Sequence, residues 1–456
     1  MTHDILVIGS GQAGVPLAAR LAGAGRRVAL FERAELGGTC VNSGCTPTKT
    51  MIASARAAHV ARTAGRLGVQ TGEVRVDLAA VVGRKDAIVA QWRDGVRKRL
   101  ARAGERLTVV HAHARFVAAR EVEAAGQRYS APVVIVNVGA RAAIPPLPGL
   151  DTVAWLDNAR VMELTAIPQH LIVLGGGYIG CELAQCFRRF GAEVTVIDLL
   201  PRLLGIEDPD SSAALADVFR AEGIGLELGV GAESVAAADG GVVVRVKGER
   251  EVKGSHLLVA VGRKPNTGDL GCEAAGIALD PRGFIPVDDA YRTNVDGVYA
   301  VGDVTPGPQF THASWDDHRI LYDILMGRPA RKRSERLVPI TAFTDPQVAR
   351  VGLTEDEAKS QGIAYEAARM PFGQIARAVE VDETAGIMKV LLDPRTEKVL
   401  GAAIVGAEAG ELIHVFVALM QAGATARALV DAEAVHPTFA EGLQTLVMKL
   451  PRYALS

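Results

Sequence analysis

The sequence predicts an α/β protein with two parallel-sheet nucleotide-binding units and a C-terminal α+β domain. The first observation is a short apolar strand followed by a glycine-rich loop, a helix and a second strand, at residues 4–33. The second is a repeat of this pattern at residues 170–198. The third is that strands and helices alternate after residue 335 without a glycine-rich loop. Alternating strands and helices favour a parallel sheet covered by helices.

The size and composition of the chain agree with a multidomain globular protein. Its 456 residues exceed one ordinary core and suggest roughly two to four domains. A net charge of −2 gives no reason to expect a nucleic-acid or anionic-membrane partner. We find no basic segment before the apolar run at residues 5–8 and no run of about 18 apolar residues. We therefore expect no signal sequence and no membrane span.

The first glycine-rich loop has the spacing of a dinucleotide site. Gly9, Gly11 and Gly14 fit G-x-G-x-x-G between a strand and a helix, and Glu32 ends the next strand. These glycines allow a tight turn and let a pyrophosphate approach the helix N-terminus, while the acid can bind a ribose hydroxyl. The alternative is a tight turn that only packs helix on strand. The full strand–loop–helix–strand context favours a Rossmann-like nucleotide site.

The second loop repeats this arrangement. Gly175, Gly177 and Gly180 follow a strand, and Asp198 stands at the acidic position. Asp198 would accept a hydrogen bond from the 2′-hydroxyl of NADH and repel the 2′-phosphate of NADPH. Arg202, four residues later, could soften that repulsion. The balance favours NADH and leaves NADPH open.

A pair of cysteines stands between the two loops. Cys40 and Cys45 are five residues apart, and on a regular helix their side chains would point about 140° apart. A disulfide therefore requires a break in the helix, for which Gly37, Gly38, Gly44 and Pro47 provide the residues. Pro47 suits the first turn of a new helix, whose N-terminus would lower thiol pKa values. The pair is predicted to be redox-active.

The other cysteines lack these features. Cys181 and Cys186 have the same spacing inside a good helical pattern, so we expect buried structural thiols. Cys272 is alone, and we assign it no role. An odd number of cysteines in a long chain indicates reduced thiols plus a redox pair rather than a disulfide scaffold, so we expect a cytoplasmic location.

Several motifs, in order along the chain, resemble the class I flavoprotein disulfide reductases. This family includes lipoamide dehydrogenase, glutathione reductase and mercuric reductase. The run at residues 37–49 resembles its redox-active site, and the run at 293–303 its second FAD motif. Residues 262–266 resemble the hinge after the NAD domain, and residues 436–441 the family's His–Glu dyad. The resemblance covers nearly the whole chain.

The resemblance implies two cofactors, FAD and NADH or NADPH. The residues that would bind FAD are Gly9, Gly11, Gly14, Glu32, Gly38, Thr39, Gly139, Asp303 and Ala313. Those that would bind NAD(P)H are Gly175, Gly177, Tyr178, Gly180, Asp198 and Gly262. In relatives the counterpart of Tyr178 covers the nicotinamide pocket.

The resemblance also implies an order of events at the sulfur atoms. Cys40 would attack the substrate, and Cys45 would lie against the flavin as the charge-transfer thiol. Lys49 and Glu182 match the family's ion pair beside the flavin.

A proton-carrying histidine would complete the site. His436 would serve as acid and base, and Glu441 would orient its ring. In the family this histidine reaches the cysteines of the other subunit, which implies a homodimer.

Proline- and glycine-containing runs at 145–149, 262–266 and 327–336 suggest the boundaries. The expected segments are the first FAD-binding part, the NAD(P)-binding domain, the second FAD-binding or central part and the dimerisation domain, at residues 1–148, 149–265, 266–335 and 336–456. Residues 51–106 predict long helices, and residues 107–138 a small antiparallel sheet.

The motifs and the resemblance together predict an NAD(P)H-dependent flavoprotein that reduces a small disulfide. Mercuric reductase and lipoamide dehydrogenase remain alternatives, and a flavin redox sensor of low turnover is an alternative of another class. Residues 45–50 and 309–314 look most like mercuric-reductase-like proteins. Residues 450–456 nevertheless contain no adjacent cysteines that could deliver a soft metal, which disfavours mercuric reductase itself. His312 is expected to be structural. Histidine pairs at 111/113 and 312/318 lack a metal-site pattern, so we expect no resident metal.

Overall fold

The computed structural model describes residues 3–238 and 240–453. Of the C-terminal run 450–456, in which no adjacent cysteines were found, residues 454–456 lie outside the described residues. The chain forms two compact units, each built from three stretches. The described parts of residues 1–50, 83–143 and 262–338 form unit 1, and those of 51–82, 144–261 and 339–456 form unit 2.

Strands and helices alternate along the chain. Up to residue 143 the elements are β1 (Ile5–Ile8), α1 (Gly14–Gly23), β2 (Val28–Glu32), α2 (Gly38–Asn42), α3 (Cys45–Thr63), α4 (Leu78–Ala101), β3 (Leu107–His111), β4 (Arg115–Ala118), β5 (Glu121–Ala124), β6 (Gln127–Ser130), β7 (Val133–Val136) and β8 (Ala140–Ala142). The following ones are β9 (Trp155–Leu156), β10 (His170–Leu174), α5 (Tyr178–Phe190), β11 (Glu193–Asp198), α6 (Pro209–Ala221), β12 (Gly225–Leu228), β13 (Ala232–Ala238), β14 (Gly241–Val246), β15 (Arg250–Gly254), β16 (His256–Val259), β17 (Arg263–Pro265), α7 (Cys272–Ala275), β18 (Val298–Ala300) and α8 (Thr311–Leu325). The last ones are β19 (Ile340–Ala342), β20 (Gln347–Gly352), α9 (Glu355–Ser360), β21 (Glu366–Pro371), α10 (Ala376–Glu380), β22 (Ile387–Leu392), β23 (Val399–Gly406), α11 (Ala409–Gln421), α12 (Arg427–Val430) and α13 (Glu441–Met448).

Unit 1 is built on a five-stranded sheet in the order β18-β7-β1-β2-β3. All its pairings are parallel, and Val7 lies opposite Leu30 on one side and Ile135 on the other. All four residues of β1 are buried, as expected for a parallel strand covered on both faces. The first glycine-rich loop therefore leaves the carboxyl end of a central strand, where such sheets bind nucleotides.

The sequence prediction of one antiparallel sheet over residues 107–138 is wrong in part. Only β4, β5 and β6 form an antiparallel sheet. β3 and β7 instead join the parallel sheet, with β7 directly beside β1. Val134, Ile135 and Val136 are fully buried, because β7 is covered on both faces and needs no polar alternation.

Unit 2 contains the second parallel sheet, in the order β12-β11-β10-β16-β9, and the antiparallel sheet β13-β14-β15. Its C-terminal part is an antiparallel sheet in the order β19-β20-β23-β22-β21, with helices α9 to α13. One buried cluster joins the two parts, because α5 residues such as Phe187 pack in the same core as Val348 and Val405.

These observations confirm the predicted fold class, an α/β protein with two parallel nucleotide-type sheets and a C-terminal α+β region. The four segment boundaries stay a prediction. Within residues 3–238 and 240–453, none of the helices combines the length and the apolar character that a bilayer crossing needs.

Candidate active site

The first glycine-rich loop is packed so closely that side chains are excluded. Gly9 has φ +103°, and a Cβ there would lie 2.3 Å from the carbonyl oxygen of Asn137. A Cβ on Gly14 would lie 2.0 Å from the carbonyl oxygen of Gly9, and one on Gly38 2.7 Å from the Cα of Gly11. The glycines thus hold α1 tightly against β1 and bring the segment before Cys40 to the loop.

The second loop repeats this packing. Gly175 has φ +105°, and its Cβ would lie 2.4 Å from the carbonyl oxygen of Ala260. A Cβ on Gly180 would lie 1.8 Å from the carbonyl oxygen of Gly175. At Gly177 a Cβ would meet nothing within 4 Å in the described structure, so the backbone at the helix start is open.

The acidic residues of the two units make matching contacts. Glu32 accepts hydrogen bonds from the backbone N–H of Ser10 at 3.0 Å and from that of Ala34 at 2.9 Å. Asp198 accepts from the backbone N–H of Gly176, and also from that of Leu200 at 2.7 Å. In both units the acid therefore closes the loop and stands beside the start of the helix.

Both loops fit a dinucleotide. In the described ranges neither α1 nor α5 has a side chain that caps its N-terminus. Their first N–H groups suit a pyrophosphate, which binds well at a helix N-terminus. With the adjacent acid for a ribose, the arrangement matches what FAD and a pyridine nucleotide each require.

The cysteine pair stands at a break between two helices. Cys40 belongs to α2 and Cys45 is the first residue of α3, while Ser43 has the non-helical φ of −147°. Both thiols are reduced and partly exposed. The predicted helix break and a helix start near Pro47 are therefore confirmed.

A hydroxyl group from a distant part of unit 1 reaches this pair. Thr311 Oγ1 lies 3.0 Å from Cys45 Sγ, and either atom could donate the hydrogen bond. Thr311 is the first residue of α8. The N-termini of α3 and α8 thus meet at one sulfur atom, and both favour negative charge there.

The two thiols influence each other's protonation. Hydrogen bonding to Cys45, burial and the charge of Cys45 raise the pKa of Cys40 above its usual value. The general expectation of lowered thiol pKa values is therefore wrong for Cys40. Two sulfur atoms in contact share a single negative charge more readily than they hold two, so a second charge is disfavoured.

The remaining residues predicted for FAD are spread over unit 1. Thr39 lies in α2, next to Gly38. Gly139 has φ +66° and precedes β8, and its carbonyl accepts from the N–H of Asn266 at 3.0 Å. Ala313 is buried in α8.

Asp303 is a half-buried acid with a cationic neighbour. Its carboxylate lies 3.4 Å from Arg263 Nη2, and Ser314 Oγ donates to it at 3.4 Å. Burial nevertheless raises the pKa of Asp303, outweighing Arg263, which lowers it. Such an acid gains from further hydrogen-bond donors, such as ligand hydroxyl groups.

Gly262 and Tyr178, which were both predicted to bind NAD(P)H, belong to unit 1 and unit 2 respectively. Gly262 has φ +130°, and its carbonyl accepts from the N–H of Ala143 at 2.9 Å, next to the ribbon formed by β8 and β17. Tyr178 is the first residue of α5, and its hydroxyl donates to Glu207 Oε1 at 2.5 Å.

Lys49 belongs to unit 1 and Glu182 to unit 2. Lys49 lies in the first turns of α3. Glu182 is buried in α5, and its carboxylate accepts from the N–H of Phe343 at 2.8 Å. Their predicted ion pair stays a prediction.

His436 and Glu441 form the expected dyad within unit 2. The imidazole Nδ1 lies 2.9 Å from Glu441 Oε2 and 3.2 Å from Oε1. The His436 side chain is 69% exposed, whereas that of Glu441 is 20% exposed. With Nδ1 facing the carboxylate, Nε2 is the nitrogen left for chemistry.

The structure confirms the interpretation of the other paired cysteines. Cys181 and Cys186 are fully buried in α5. Burial raises the pKa values of both thiols, which keeps them protonated and unreactive. The ring of His312 stacks on Phe310 with centroids 5.4 Å apart.

Sequence reasoning missed four polar residues at these sites. Asn137 donates a hydrogen bond to the carbonyl of Gly9 in the first loop, and Thr311 contacts Cys45. Glu207 accepts hydrogen bonds from Tyr178 and from Arg350. No local motif marks them.

Within the described residues, no group of three or more His, Cys, Asp or Glu side chains is arranged to hold a metal ion.

Comparison with known proteins gives the family. A model described as pyridine nucleotide-disulphide oxidoreductase matches residues 3–317, and one for the dimerisation domain of this family matches residues 338–447. A mercuric reductase of Lysinibacillus sphaericus is 36% identical over 97% of this chain and 81% of its own length. A dihydrolipoyl dehydrogenase of Thermus scotoductus is 34% identical over 100% of this chain and 98% of its own.

Among solved structures, one match is described as the Cu(II) complex of the HOCl-induced flavoprotein disulfide reductase RclA from Escherichia coli. It is 33% identical, has a TM-score of 0.90 and covers 98% of this chain and 100% of its own. The family binds FAD and a pyridine nucleotide, and the matched dimerisation domain indicates a homodimer. The chain belongs to the pyridine nucleotide-disulphide oxidoreductase family.

Proposed function

We propose that this protein is an NAD(P)H-dependent oxidoreductase that reduces a small disulfide through Cys40 and Cys45. The observation that carries the proposal is the position of two reduced thiols at a helix break, with Cys45 at the start of α3 and 3.0 Å from Thr311. When bound, FAD would accept a hydride from NAD(P)H and supply two electrons to the sulfur pair.

The thiol chemistry follows from the two sulfur atoms. Cys40 Sγ, as thiolate, attacks one sulfur of the substrate disulfide, whose S–S bond breaks and releases one thiolate. Cys45 Sγ then attacks Cys40 Sγ, which releases the second thiol and leaves the pair oxidised to a disulfide. Two electrons have then moved to the substrate, and two protons are needed to complete both product thiols.

His436 is proposed to carry a proton in this sequence. Its Nε2 would accept the proton of the attacking Cys40 thiol and return it to the leaving sulfur. Glu441 would hold the ring by its contact with Nδ1 at 2.9 Å and stabilise the imidazolium. Because His436 is exposed in the single chain, we assign it to the cysteine pair of the partner subunit in a homodimer.

NADH is the proposed nucleotide of the second loop. Asp198 stands at the loop with its carboxylate fixed by two backbone N–H groups, so a 2′-phosphate would approach a held negative charge. Arg202 donates to the carbonyl of Gly205 and pairs with Asp356 at 3.7 Å, so part of its charge is already engaged. This charge balance favours NADH over NADPH as the bound nucleotide.

A second candidate is the reduction of a soft metal ion. The similar mercuric reductase favours Hg(II), because thiolates are good ligands for soft ions. The Cu(II) complex of RclA makes Cu(II) a further ion to test. Lipoamide is a third substrate to test, given the similar dihydrolipoyl dehydrogenase.

One substrate panel tests these alternatives. NADH and NADPH oxidation is measured with lipoamide, glutathione disulfide, other small disulfides, Hg(II) with excess thiol, Cu(II) without added thiol, and oxygen. We expect a small disulfide to be turned over and Cys40→Ala to abolish that turnover. Strong metal-ion turnover without disulfide activity would replace the proposal, and slow reduction without reoxidation by any acceptor would indicate a redox sensor.

The thiol roles have their own test. The long-wavelength absorbance of the two-electron-reduced enzyme should survive in Cys40→Ser and vanish in Cys45→Ser. The opposite result would exchange the two roles. Cys181→Ser is the matched control, because this thiol is buried in α5 and should leave the absorbance unchanged.

A further inference from the structure

The helix that carries Cys40 is too short to keep its shape alone. α2 has five residues, and its N-terminal cap is Gly37, which has no side chain to bond the first N–H groups. At its other end the N–H of Ser43 donates to the carbonyl of Thr39 at 2.9 Å. A helix of this length is unstable in water, because it forms few hydrogen bonds for the residues that it fixes. Contacts from outside the helix backbone therefore have to fix the position of Cys40.

The side chain of Asn42, the last residue of α2, makes such contacts. Its Nδ2 donates to the carbonyl oxygens of Gly38 at 2.9 Å, Leu36 at 3.1 Å and Glu35 at 3.3 Å. The first bond joins the two ends of α2, and the other two join the helix to the segment before it. One amide group thus contacts three carbonyl oxygens and fixes the turn that leads into α2.

Arg93 of α4 sets the orientation of this amide. Its Nε donates to Asn42 Oδ1 at 2.9 Å and lies 3.4 Å from the carboxylate of Glu35. A guanidinium group has donors only, so it faces the amide oxygen and leaves Nδ2 for the three carbonyl oxygens. An amide rotated by 180° would place its oxygen against those carbonyls and its NH₂ group against a cation. Arg93 therefore selects the orientation in which Asn42 holds α2.

The position in which Cys40 is held is one from which a disulfide can form. The thiols of Cys40 and Cys45 are hydrogen-bonded to each other, so the two sulfur atoms are already in contact. A disulfide requires them to approach to about 2 Å, which side-chain rotation achieves from such a contact. A loose α2 would lower the effective concentration of one sulfur atom at the other.

We infer that Asn42 and Arg93 are positioning residues, which hold α2 so that Cys40 stays within reach of Cys45. Arg93 acts through Asn42. The inference rests on the proposed function, because it assumes that the two sulfur atoms form a disulfide during turnover. It extends that function by giving a residue of α4 an effect on the stability of this disulfide.

The test measures the reduction potential of the cysteine pair in the FAD-loaded enzyme. The enzyme is equilibrated with mixtures of reduced and oxidised dithiothreitol. In these mixtures the two thiols pass two electrons and two protons to the oxidised reagent and become a disulfide. Free thiols are then trapped with a maleimide in denaturant, and mass spectrometry finds two fewer labels on a chain whose pair is oxidised.

Asn42→Ala should make the disulfide less stable by about three- to tenfold, because the backbone of α2 gains freedom. The potential should become less negative by about 15–30 mV, since tenfold corresponds to about 30 mV for two electrons. Arg93→Met should shift the potential in the same direction. Loss of its charge alone would shift the potential the other way, because a cation stabilises the thiolate form.

A double variant and a conservative variant test the route of the effect. Because Arg93 acts through Asn42, the double variant Asn42→Ala, Arg93→Met should have the potential of Asn42→Ala alone. Arg93→Lys should return the potential towards that of the wild type, since an ammonium group can also donate to Asn42 Oδ1.

Arg97→Gln is the matched control. Arg97 lies one turn further along α4 and 3.7 Å from Glu35, and its removal leaves the contact between Arg93 and Asn42 in place. Its potential should equal that of the wild type. FAD content and thermal unfolding show whether each variant is folded. Arg93→Met keeps the Asn42 amide and carries the test if Asn42→Ala does not fold.

The outcomes separate this inference from the proposed function. If the wild-type pair forms no disulfide in any of the mixtures, the proposed function is wrong. If the wild-type pair forms one and Asn42→Ala has the same or a more negative potential, the positioning role is wrong. If the shifts of Asn42→Ala and Arg93→Met add in the double variant, Arg93 does not act through Asn42 and its assigned role is wrong.

Discussion

The hydroxyl of Thr311 lies 3.0 Å from the sulfur of Cys45, although 266 positions separate the two residues in the chain. Each is the first residue of a helix, α8 and α3. Both helices have their positive ends at this sulfur, and the hydroxyl adds a single donor. The pKa of Cys40 is raised by its hydrogen bond to Cys45, by burial and by the charge of Cys45, so the pair is expected to carry a single negative charge. The two helix N-termini favour that charge on Cys45.

Removing this hydroxyl should raise the pH at which the cysteine pair acquires its negative charge. In Thr311→Val the sulfur loses a hydrogen bond to a charged group, worth about 1.5–3 kcal/mol, or roughly one to two pH units. The pH midpoint at which the long-wavelength absorbance of the two-electron-reduced enzyme appears should rise by that amount. It is read from a spectrophotometric pH titration.

Thr311→Ser is the control, since it keeps the hydroxyl and should retain the midpoint of the wild type. An unchanged midpoint in Thr311→Val would show that the two helix N-termini suffice without the hydroxyl.

The close packing of the first loop predicts a sharp difference between two glycines of α1. A Cβ on Gly14 would lie 2.0 Å from the carbonyl oxygen of Gly9, whereas one on Gly23 would meet nothing within 4 Å in the described structure. Gly14→Ala should destabilise the loop by about 1–3 kcal/mol and lower the FAD content. Gly23→Ala should stabilise by about 0.5–1 kcal/mol and leave FAD bound.

Thermal unfolding together with the ratio of flavin to protein absorbance measures both effects. Equal FAD content in the two variants would contradict the view that the third glycine of the motif is needed for helix–strand contact.

The two loops could be predicted from the sequence because their requirements are local. Gly9 and Gly14 must lie close to one another in space. The segment that contains them encodes a strand, a turn and a helix in that order. Thr311 could not be predicted, since its role depends on a helix that begins far away in the chain. The ion pair of Glu207 and Arg350 is equally non-local, with 143 positions between the partners.

The sheet over residues 107–138 shows a second kind of limit. β3 and β7 are short apolar strands, and their sequence does not tell whether they pair with neighbours in the chain or with β2 and β1. The pairing is decided by which partners bury both faces, which requires the whole unit. The side-chain pattern therefore identified strands there and assigned β3 and β7 to the wrong sheet.

The nucleotide preference should depend on the charge of Asp198. Asp198→Asn removes the negative charge that a 2′-phosphate would face, and we expect the ratio of kcat/KM for NADPH to that for NADH to rise about 10- to 100-fold. Initial rates with the two nucleotides and one disulfide substrate give this ratio.

Glu193→Gln is the matched control, because Glu193 begins the same strand, β11, with its side chain 75% exposed. A ratio that rises equally in both variants would mean that the net charge of the domain, rather than Asp198, sets the preference.

The homodimer should place His436 of one chain at the cysteine pair of the other. Cys40→Ser and His436→Gln homodimers should each lose activity, the latter by about 10²- to 10⁴-fold. In a heterodimer of these two chains, one site contains both changes and the other site contains neither. Random mixing makes half of the dimers heterodimers, so about a quarter of the sites should be fully active.

Co-expression of the two chains with different affinity tags, followed by an assay of disulfide reduction, measures this recovery. A mixture of Cys40→Ser with Cys45→Ser is the control without recovery, because every site then lacks one sulfur. If the His436 mixture also stays inactive, His436 acts within its own chain, and the shared site is wrong. Full activity of the His436→Gln homodimer would instead place His436 outside the reaction.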